Sequence, residues 1–377
     1  MYQIGRGFFF VILLILLTTK ISWAANFAIP PKFSYAGRFS DGVALVRLND
    51  EWFYIDKSGK AVIKPQKFEK YEDFKEGLAV VSTAGKYGYI DKTGKLAIPL
   101  RFGTARSFRD GRAVVGFGPA GATDFGVIDR SGNFIVNPHF DKIWDFNNGI
   151  ALVDFERTGY IADASNAIDI HGKRVFRPNF FSIKHFNEGH AAALLELNGR
   201  WGLLKRDGSW AVNPRFNSLH SPKGGLSVFG ECEGQTEIGT TAKPPECKYG
   251  YIDLLGNVKI PPQFRYAQGF QESRALVSFN LPARERLMFN GQLGVTFGYI
   301  DKTGKLVIDS IYSEAHDFAG GVALVRESFT SGKQGDWGFI GRDGKPLTEF
   351  IYVYATSVSE GFAAVMTKSG KMGYLKF

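Results

Sequence analysis

The chain has 377 residues, of which 44% are hydrophobic and 22% charged, with a formal net charge of +9. This composition excludes a disordered or collagen-like chain and is that of a folded protein. Two cysteines in such a length exclude a small disulfide-dense scaffold.

The first 24 residues stand apart from the rest: Arg6 near the start, an apolar run over residues 8–17, the polar TTKIS, then WAAN. Basic start, apolar middle and small residues at the end are the parts of a secretory signal. The run is shorter than the roughly 20 residues that span a bilayer, so a cleaved signal is expected rather than an anchor. Cleavage after Ala24 places Ser22 and Ala24 at the small-residue positions. The mature chain is then expected in the periplasm or outside the cell, with no integral membrane span. Loss of Arg6 and Lys20 lowers the net charge from +9 to +7. An exported basic surface meets anionic glycans, acidic envelope components or proteins, and no nucleic-acid partner is expected.

From residue 27 onward the chain repeats. Aromatic pairs six apart recur as Phe33 and Phe39, Phe68 and Phe74, Phe102 and Phe108, Phe140 and Phe146, Phe180 and Phe186, and Phe264 and Phe270. The spacing survives as Phe216 to Pro222, Tyr312 to Phe318 and Tyr352 to Val358. Nine cycles keep one register, with units at roughly 33–67, 68–101, 102–139, 140–179, 180–215, 216–263, 264–311, 312–351 and 352–377. Each cycle predicts three strands. GLAVV is apolar and β-branched; YGYID alternates; KLAIP is stopped by a proline, which has no N–H to donate to a ladder. Between the second and third lies DKTGK, a tight turn in which Asp91 bonds its own backbone and Gly94 takes the left-handed position. Asp56, Asp91, Asp129, Asp169, Asp253 and Asp301 are accordingly turn formers. A calcium loop needs oxygen ligands where DKTGKL carries lysine.

The unit F-x5-F-x2-G-x-A-x-V, followed by aromatic-Gly-aromatic-Ile-Asp and K-x-G-K, resembles the WG (KWG) repeat of bacterial proteins. The naming dipeptide stands at Trp201-Gly202 and Trp337-Gly338, and in altered form at Tyr87-Gly88, Phe125-Gly126, Tyr249-Gly250, Phe297-Gly298 and Met372-Gly373. The first unit has Trp52-Phe53 and the fourth has lost it. The resemblance implies a β-rich repeat array and brings no catalytic residues with it.

A three-stranded sheet cannot bury its apolar face alone, so neighbours must stack into a single all-β domain. An open, curved solenoid of about nine three-stranded antiparallel units is expected. The rival is a closed propeller-like ring, in which the opening FAIPPKF and the closing GFAAVMTKSGKMGYLKF complete one unit.

Insertions concentrate in one loop of the unit. From Val46, Val81, Val115, Val153, Ala193, Phe229, Val277, Val325 and Val365 to the apolar residue before the turn, the gaps are 9, 9, 13, 15, 11, 23, 23, 15 and 10. Equivalent loops of a stacked array share an edge, so these form an irregular rim, a candidate binding surface. One rim loop is bounded by Cys232 and Cys247, expected to join in an oxidising compartment; closing about 15 residues contributes ~3 kcal/mol on the chain-entropy argument. Another carries Arg284 and Arg286 beside Phe289, the densest candidate patch.

No G-x-S-x-G, H-E-x-x-H or G-x-x-x-x-G-K-[ST] motif is present. The six histidines share no metal-ligand spacing. The expected function is therefore a non-enzymatic, cofactor-free scaffold that binds a protein or an anionic glycan at the cell envelope. The alternative is a carbohydrate-active enzyme or its sugar-binding module, which needs two carboxylates facing a cleft among exposed aromatics.

Overall fold

The computed structural model describes residues 27–64, 67–118, 123–154, 166–177, 179–197, 199–233, 246–279, 288–289, 292–293, 295–328 and 335–377. The segment read as a signal lies outside them. Among the described residues every regular element is a β-strand.

Seven of the nine units are four-stranded antiparallel meanders, one strand more than the three expected; among the described residues units 4 and 8 have three. In unit 1 the sheet order is Tyr35–Ala36, Ala44–Leu48, Glu51–Ile55 and Ala61–Ile63; in unit 2 it is Lys70–Tyr71, Leu78–Thr83, Lys86–Asp91 and Leu96–Phe102. The additional strand is two residues long and lies between the paired aromatics, too short to show a period of two. The second strand reads as a continuous apolar run because neighbouring sheets cover both its faces: in unit 2, Leu78 to Ser82 are all buried. Nine units occupy eight large sheets, since the strand Leu306–Ala315 runs from the outer edge of unit 7 into unit 8 and fuses the two into a six-stranded sheet.

The ring is closed. The strand Phe27–Phe33 pairs antiparallel with Met372–Lys376, Phe27 opposite Leu375 and Phe33 opposite Met372. This corrects the open solenoid in favour of the closed ring. FAIPPKF has the buried-residue pattern of the outer strands LAIPLRF and VKIPPQF, so it supplies the outer strand that unit 9 lacks. An open array would have left two apolar end faces and an unpaired strand edge in water. Ile29, Phe33, Tyr374 and Phe362 of unit 9 pack with Phe39, Val46 and Ile55 of unit 1, as internal neighbours do; Leu45, Tyr54 and Ile63 pack against Phe74, Val81 and Ile90 between units 1 and 2. The core is thus a set of layers between units.

Two polar systems tie unit to unit. The tyrosine hydroxyls of Tyr54, Tyr89, Tyr251, Tyr299 and Tyr374 donate to the carbonyls of Glu72, Arg106, Gln268, His316 and Gly37, each in the next unit around the ring, at 2.7–2.9 Å. On the turn between first and second strands, an acidic side chain accepts the N–H of the next unit's turn glycine. Asp41 takes Gly77, Glu76 takes Gly111, and Asp110 takes Gly149, at 2.6–2.9 Å. Glu188 takes Gly224 and Gly225, Glu272 takes Gly320 and Gly321, and Glu360 crosses the closure to Gly42. These acidic residues all have positive φ, near 50°, a conformation that disfavours side chains. The carboxylate bond to the neighbour offsets that local cost.

The glycine of the naming dipeptide has a steric cause. A Cβ on Gly88 would lie 2.6 Å from the Ile98 carbonyl oxygen of the outer strand, where the ladder shifts register at Pro99; Gly250 meets Ile260 in the same way. The outer strand can fold onto the third only where no side chain stands.

Candidate binding site on the axial wall

After each two-residue strand come two residues that precede the second aromatic. Around the ring they are Gly37-Arg38, Glu72-Asp73, Arg106-Ser107, Trp144-Asp145, Lys184-His185, His220-Ser221, Gln268-Gly269, His316-Asp317 and Thr356-Ser357. No pair occurs twice, although the aromatics on either side hold their register. These residues converge, because contacts at and beside them skip a unit. Lys223 Nζ of unit 6 lies 2.6 Å from Asp317 of unit 8, passing over Gly269 of unit 7, where a Cβ would stand 2.6 Å from Lys223 Cβ. The charge of Arg38 in unit 1 acts on His316 in unit 8, and that of Asp145 in unit 4 on Glu72 in unit 2. Second neighbours approach this closely only at the axis of a ring.

The wall has two sectors. Units 2–4 are acidic: Ser107 Oγ donates to Glu72 Oε2 at 3.3 Å, and Asp145 pairs with Arg106 at 3.4 Å and Arg109 at 3.5 Å. Burial raises the Glu72 and Asp73 carboxyls above their ordinary range. Units 5 and 6 are basic and imidazole-rich. Lys184 Nζ donates to the Leu219 carbonyl at 2.9 Å and sits 4.7 Å over the Trp201 ring; Ala192 N–H donates to Ser221 Oγ at 3.1 Å. Between units 4, 5 and 6 opens a cavity of about 500 Å³ lined by Trp144, Lys184, His185, Asn187, His220 and Ser221, among others, with no carboxylate in its lining.

The axial histidines are surface-accessible yet enclosed by protein, as on the wall of a well. Removal from bulk water pushes His185 and His316 down, and His220, with Lys184 beside it, to about 4. All three are therefore neutral near pH 7. Because the folded values lie below the unfolded value of ~6.5, the unfolded chain takes up protons first, and stability falls as pH drops from about 6.5 toward 4. The urea midpoint is expected to decrease across this window, with His220 accounting for about 1 kcal/mol after discounting for its exposure. His220→Gln is expected to shrink that decrease; an unchanged pH profile would contradict it. Below pH 4 the turn aspartates Asp56, Asp91, Asp129, Asp253 and Asp301 take over, with Asp253 held at about 2 by hydrogen bonds from Asn257 and Lys259 that outweigh its burial. Their lowered values have the same sign, stability being lost as pH falls through them.

The residues singled out in the sequence go to different places. Asp56, Asp91, Asp129, Asp169, Asp253 and Asp301 each accept, through Oδ1, the N–H groups two and four residues on, as turn formers do. Cys232 and Cys247 stand opposite each other across the long hairpin of unit 6 and are disulfide-bonded. Phe289 lies in the two-residue strand Met288–Phe289, paired with Gln292–Leu293, whereas Arg284 and Arg286 lie outside the described residues. His185 enters the cavity, and His190, five residues on, bonds the Glu188 carbonyl instead. Among the described residues no three His, Cys, Asp or Glu side chains form a metal-binding group, and no helix is long and apolar enough to cross a membrane. The axial dipeptides were missed in the sequence. Their signal was variability: two changing polar residues inside the invariant F-x5-F spacing.

Fold and wall together define a closed, propeller-like ring of β-repeats with a variable polar axis. The pattern of the WG containing repeat matches residues 25–52, 52–87, 87–118, 125–155, 249–280, 297–328 and 337–371. The chain belongs to the WG containing repeat family. No curated protein matches it in sequence. Among solved structures it is similar to the tricorn protease, with a TM-score of 0.35 and 13% identity over 82% of this chain and 39% of that one. It is also similar to the β-propeller domain of the Trilobed protease from Pyrococcus furiosus, with a TM-score of 0.37 and 10% identity over 91% and 95%. A third is prolyl oligopeptidase B from Galerina marginata, with a TM-score of 0.39 and 12% identity over 92% and 56%. The chain spans about two fifths of the tricorn protease chain.

Proposed function

We propose that the chain is an exported, non-enzymatic binding scaffold that holds an anionic glycan against the axial wall of units 4–6. The observation that carries this is the cavity itself. Lys184, Asn187, the neutral imidazoles of His185 and His220, and Ser221 offer hydrogen-bond donors, Trp144 offers an aromatic face, and no acidic side chain lines it. Donors beside one aromatic wall suit a sugar ring bearing negative groups, and the net charge, +9 for the whole chain and +7 without Arg6 and Lys20, favours its approach. Export is supported by the disulfide, which persists in oxidising compartments.

Calorimetric titration with sulfated and uronate-containing oligosaccharides is expected to show binding that neutral oligosaccharides lack. Lys184→Ala is expected to weaken it about tenfold, the loss of one charge-assisted hydrogen bond. Full affinity in a Lys184→Ala/Trp144→Ala double variant would remove the site from this wall. The same titration with residues 280–296 replaced by the short STAGK of unit 2 tests the rim: affinity lost there alone would assign binding to the loop carrying Arg284, Arg286 and Phe289.

A second proposal, a carbohydrate-active enzyme or its sugar-binding module, is favoured by Glu72 and Asp73, two carboxyls raised by burial, near the exposed Tyr35 and Tyr354. Turnover of a glycan that stops in Glu72→Gln would support the enzyme; binding without turnover supports the scaffold.

A further inference from the structure

The ring of carboxylate-to-glycine bonds is interrupted between units 4 and 5. Where Asp41, Glu76, Asp110, Glu188, Glu272 and Glu360 stand, unit 4 has Asn148. Its backbone keeps the same turn, with φ of 54°, but its amide donates to Asn147 Oδ1 at 3.1 Å. No carboxylate reaches the Gly189 N–H among the described residues. The cation that accompanies this joint elsewhere is nevertheless in place. Lys57 pairs with Glu360 at 3.0 Å and Arg342 with Glu272 at 2.6 Å, each from the later unit's aspartate turn to the earlier unit's acid. Arg206 occupies the corresponding position in unit 5 and donates to the Asn148 carbonyl. The joint thus retains the N–H donor and the cation while the chain supplies no anion.

Two other joints also lack the acid, and one of them is closed by packing. Between units 6 and 7, Gly224 packs against Phe270, where its Cβ would lie 2.7 Å away, and Phe270 N–H donates to the Lys223 carbonyl. Between units 8 and 9, Gly320 stands in the acid's place, and the ion pair of Lys368 with Asp336 at 3.2 Å joins the two units at the opposite end of their sheets. Only the joint between units 4 and 5 adjoins the axial cavity, whose lining includes Asn147 and Asn187, next to Asn148 and two residues before Gly189.

We propose that this joint is a carboxylate-binding site that takes the uronate group of an acidic glycan, with the Gly189 N–H and the Arg206 guanidinium holding the carboxylate. The six filled joints show the chemistry: a carboxylate on a turn N–H, in two of them with a cation of the next unit alongside. The inference rests on the axial glycan reading, since the sugar ring would extend into the cavity toward Lys184 and Trp144.

Calorimetry on the full chain, with trigalacturonate, its methyl ester and a sulfated trisaccharide as probes, tests it. Trigalacturonate is expected to bind at least about tenfold tighter than its ester. Asn148→Asp supplies the missing carboxylate internally; it is expected to raise the melting temperature and to weaken trigalacturonate binding about tenfold or more. Arg206→Ala is expected to weaken binding without raising the melting temperature. Wild-type affinity in Asn148→Asp, or a lower melting temperature in that variant, would overturn the site. Binding of the sulfated probe but not of trigalacturonate would overturn it while leaving the axial scaffold standing. Binding of neither would remove both.

Discussion

A chain that begins at Ser34 is expected to lose most of its stability, although it retains every strand of the first eight units. The removed strand, Phe27–Phe33, is the outer strand of unit 9 and, among the described residues, the only element that joins the two ends of the chain in one sheet. Ile29 and Phe33 are 2% and 0% exposed. Burying such side chains contributes about 1.5–3 kcal/mol each, and the cost of an unpaired ladder is added to that. The total is of the order of the whole stability of an ordinary domain, about 5–15 kcal/mol. Units 9 and 1 would also present the Met372–Lys376 edge and the layer holding Phe39, Val46 and Ile55 to water, a template for association. Urea unfolding together with sedimentation velocity reads both effects. Addition of the FAIPPKF peptide in trans is expected to restore part of the midpoint. A truncated monomer that unfolds at the wild-type urea concentration would show that the closure is energetically idle.

Gly250→Ala is expected to cost about 3 kcal/mol or more, against about 1 kcal/mol for Gly111→Ala. The two glycines differ in what surrounds them. Gly111 has φ of 70° with nothing within 4 Å of an added Cβ, so the change meets only backbone strain. Gly250 has ordinary strand geometry, but its Cβ would lie 2.5 Å from the Ile260 carbonyl oxygen and 2.8 Å from Pro262 N. Both are backbone atoms, which cannot swing aside as the end of a side chain does. The outer strand Val258–Phe264 would have to leave the Glu246–Ile252 strand, withdrawing Ile260 and Phe264 from the layer shared with unit 7. Equal midpoint shifts for the two variants in urea would refute this account of why the naming dipeptide ends in glycine.

The local parts of the architecture were legible in the residues. Asp91 and Gly94 specify a turn that is complete within five residues, with bonds from the Thr93 and Lys95 N–H groups to Asp91 Oδ1, so its chemistry needs nothing from the rest of the chain. The pairing of Cys232 with Cys247 was legible because the two ends of one hairpin lie together once its flanking strands pair. The constant spacing of the aromatics set the register of all nine units, because each unit must present the same apolar face to the next. The two-residue strands escaped notice, since two residues carry no periodicity and pair only because the second strand beside them is already in place.

Closure, the axial wall and the carboxylate relay were decided by the tertiary structure. Whether nine twisted units return to their start depends on the small rotation between neighbours, summed around the ring, which no single unit records. Closure makes the short strands converge, and so turns nine unremarked dipeptides such as Lys184-His185 and His220-Ser221 into one wall. The relay likewise joins residues 35–49 positions apart within the chain, and 318 apart across the closure. Asn148 looks like any turn asparagine in the sequence. Its difference from Asp110 or Glu188 becomes physical only where a neighbouring turn brings an N–H group, and Arg206 a charge, to meet it.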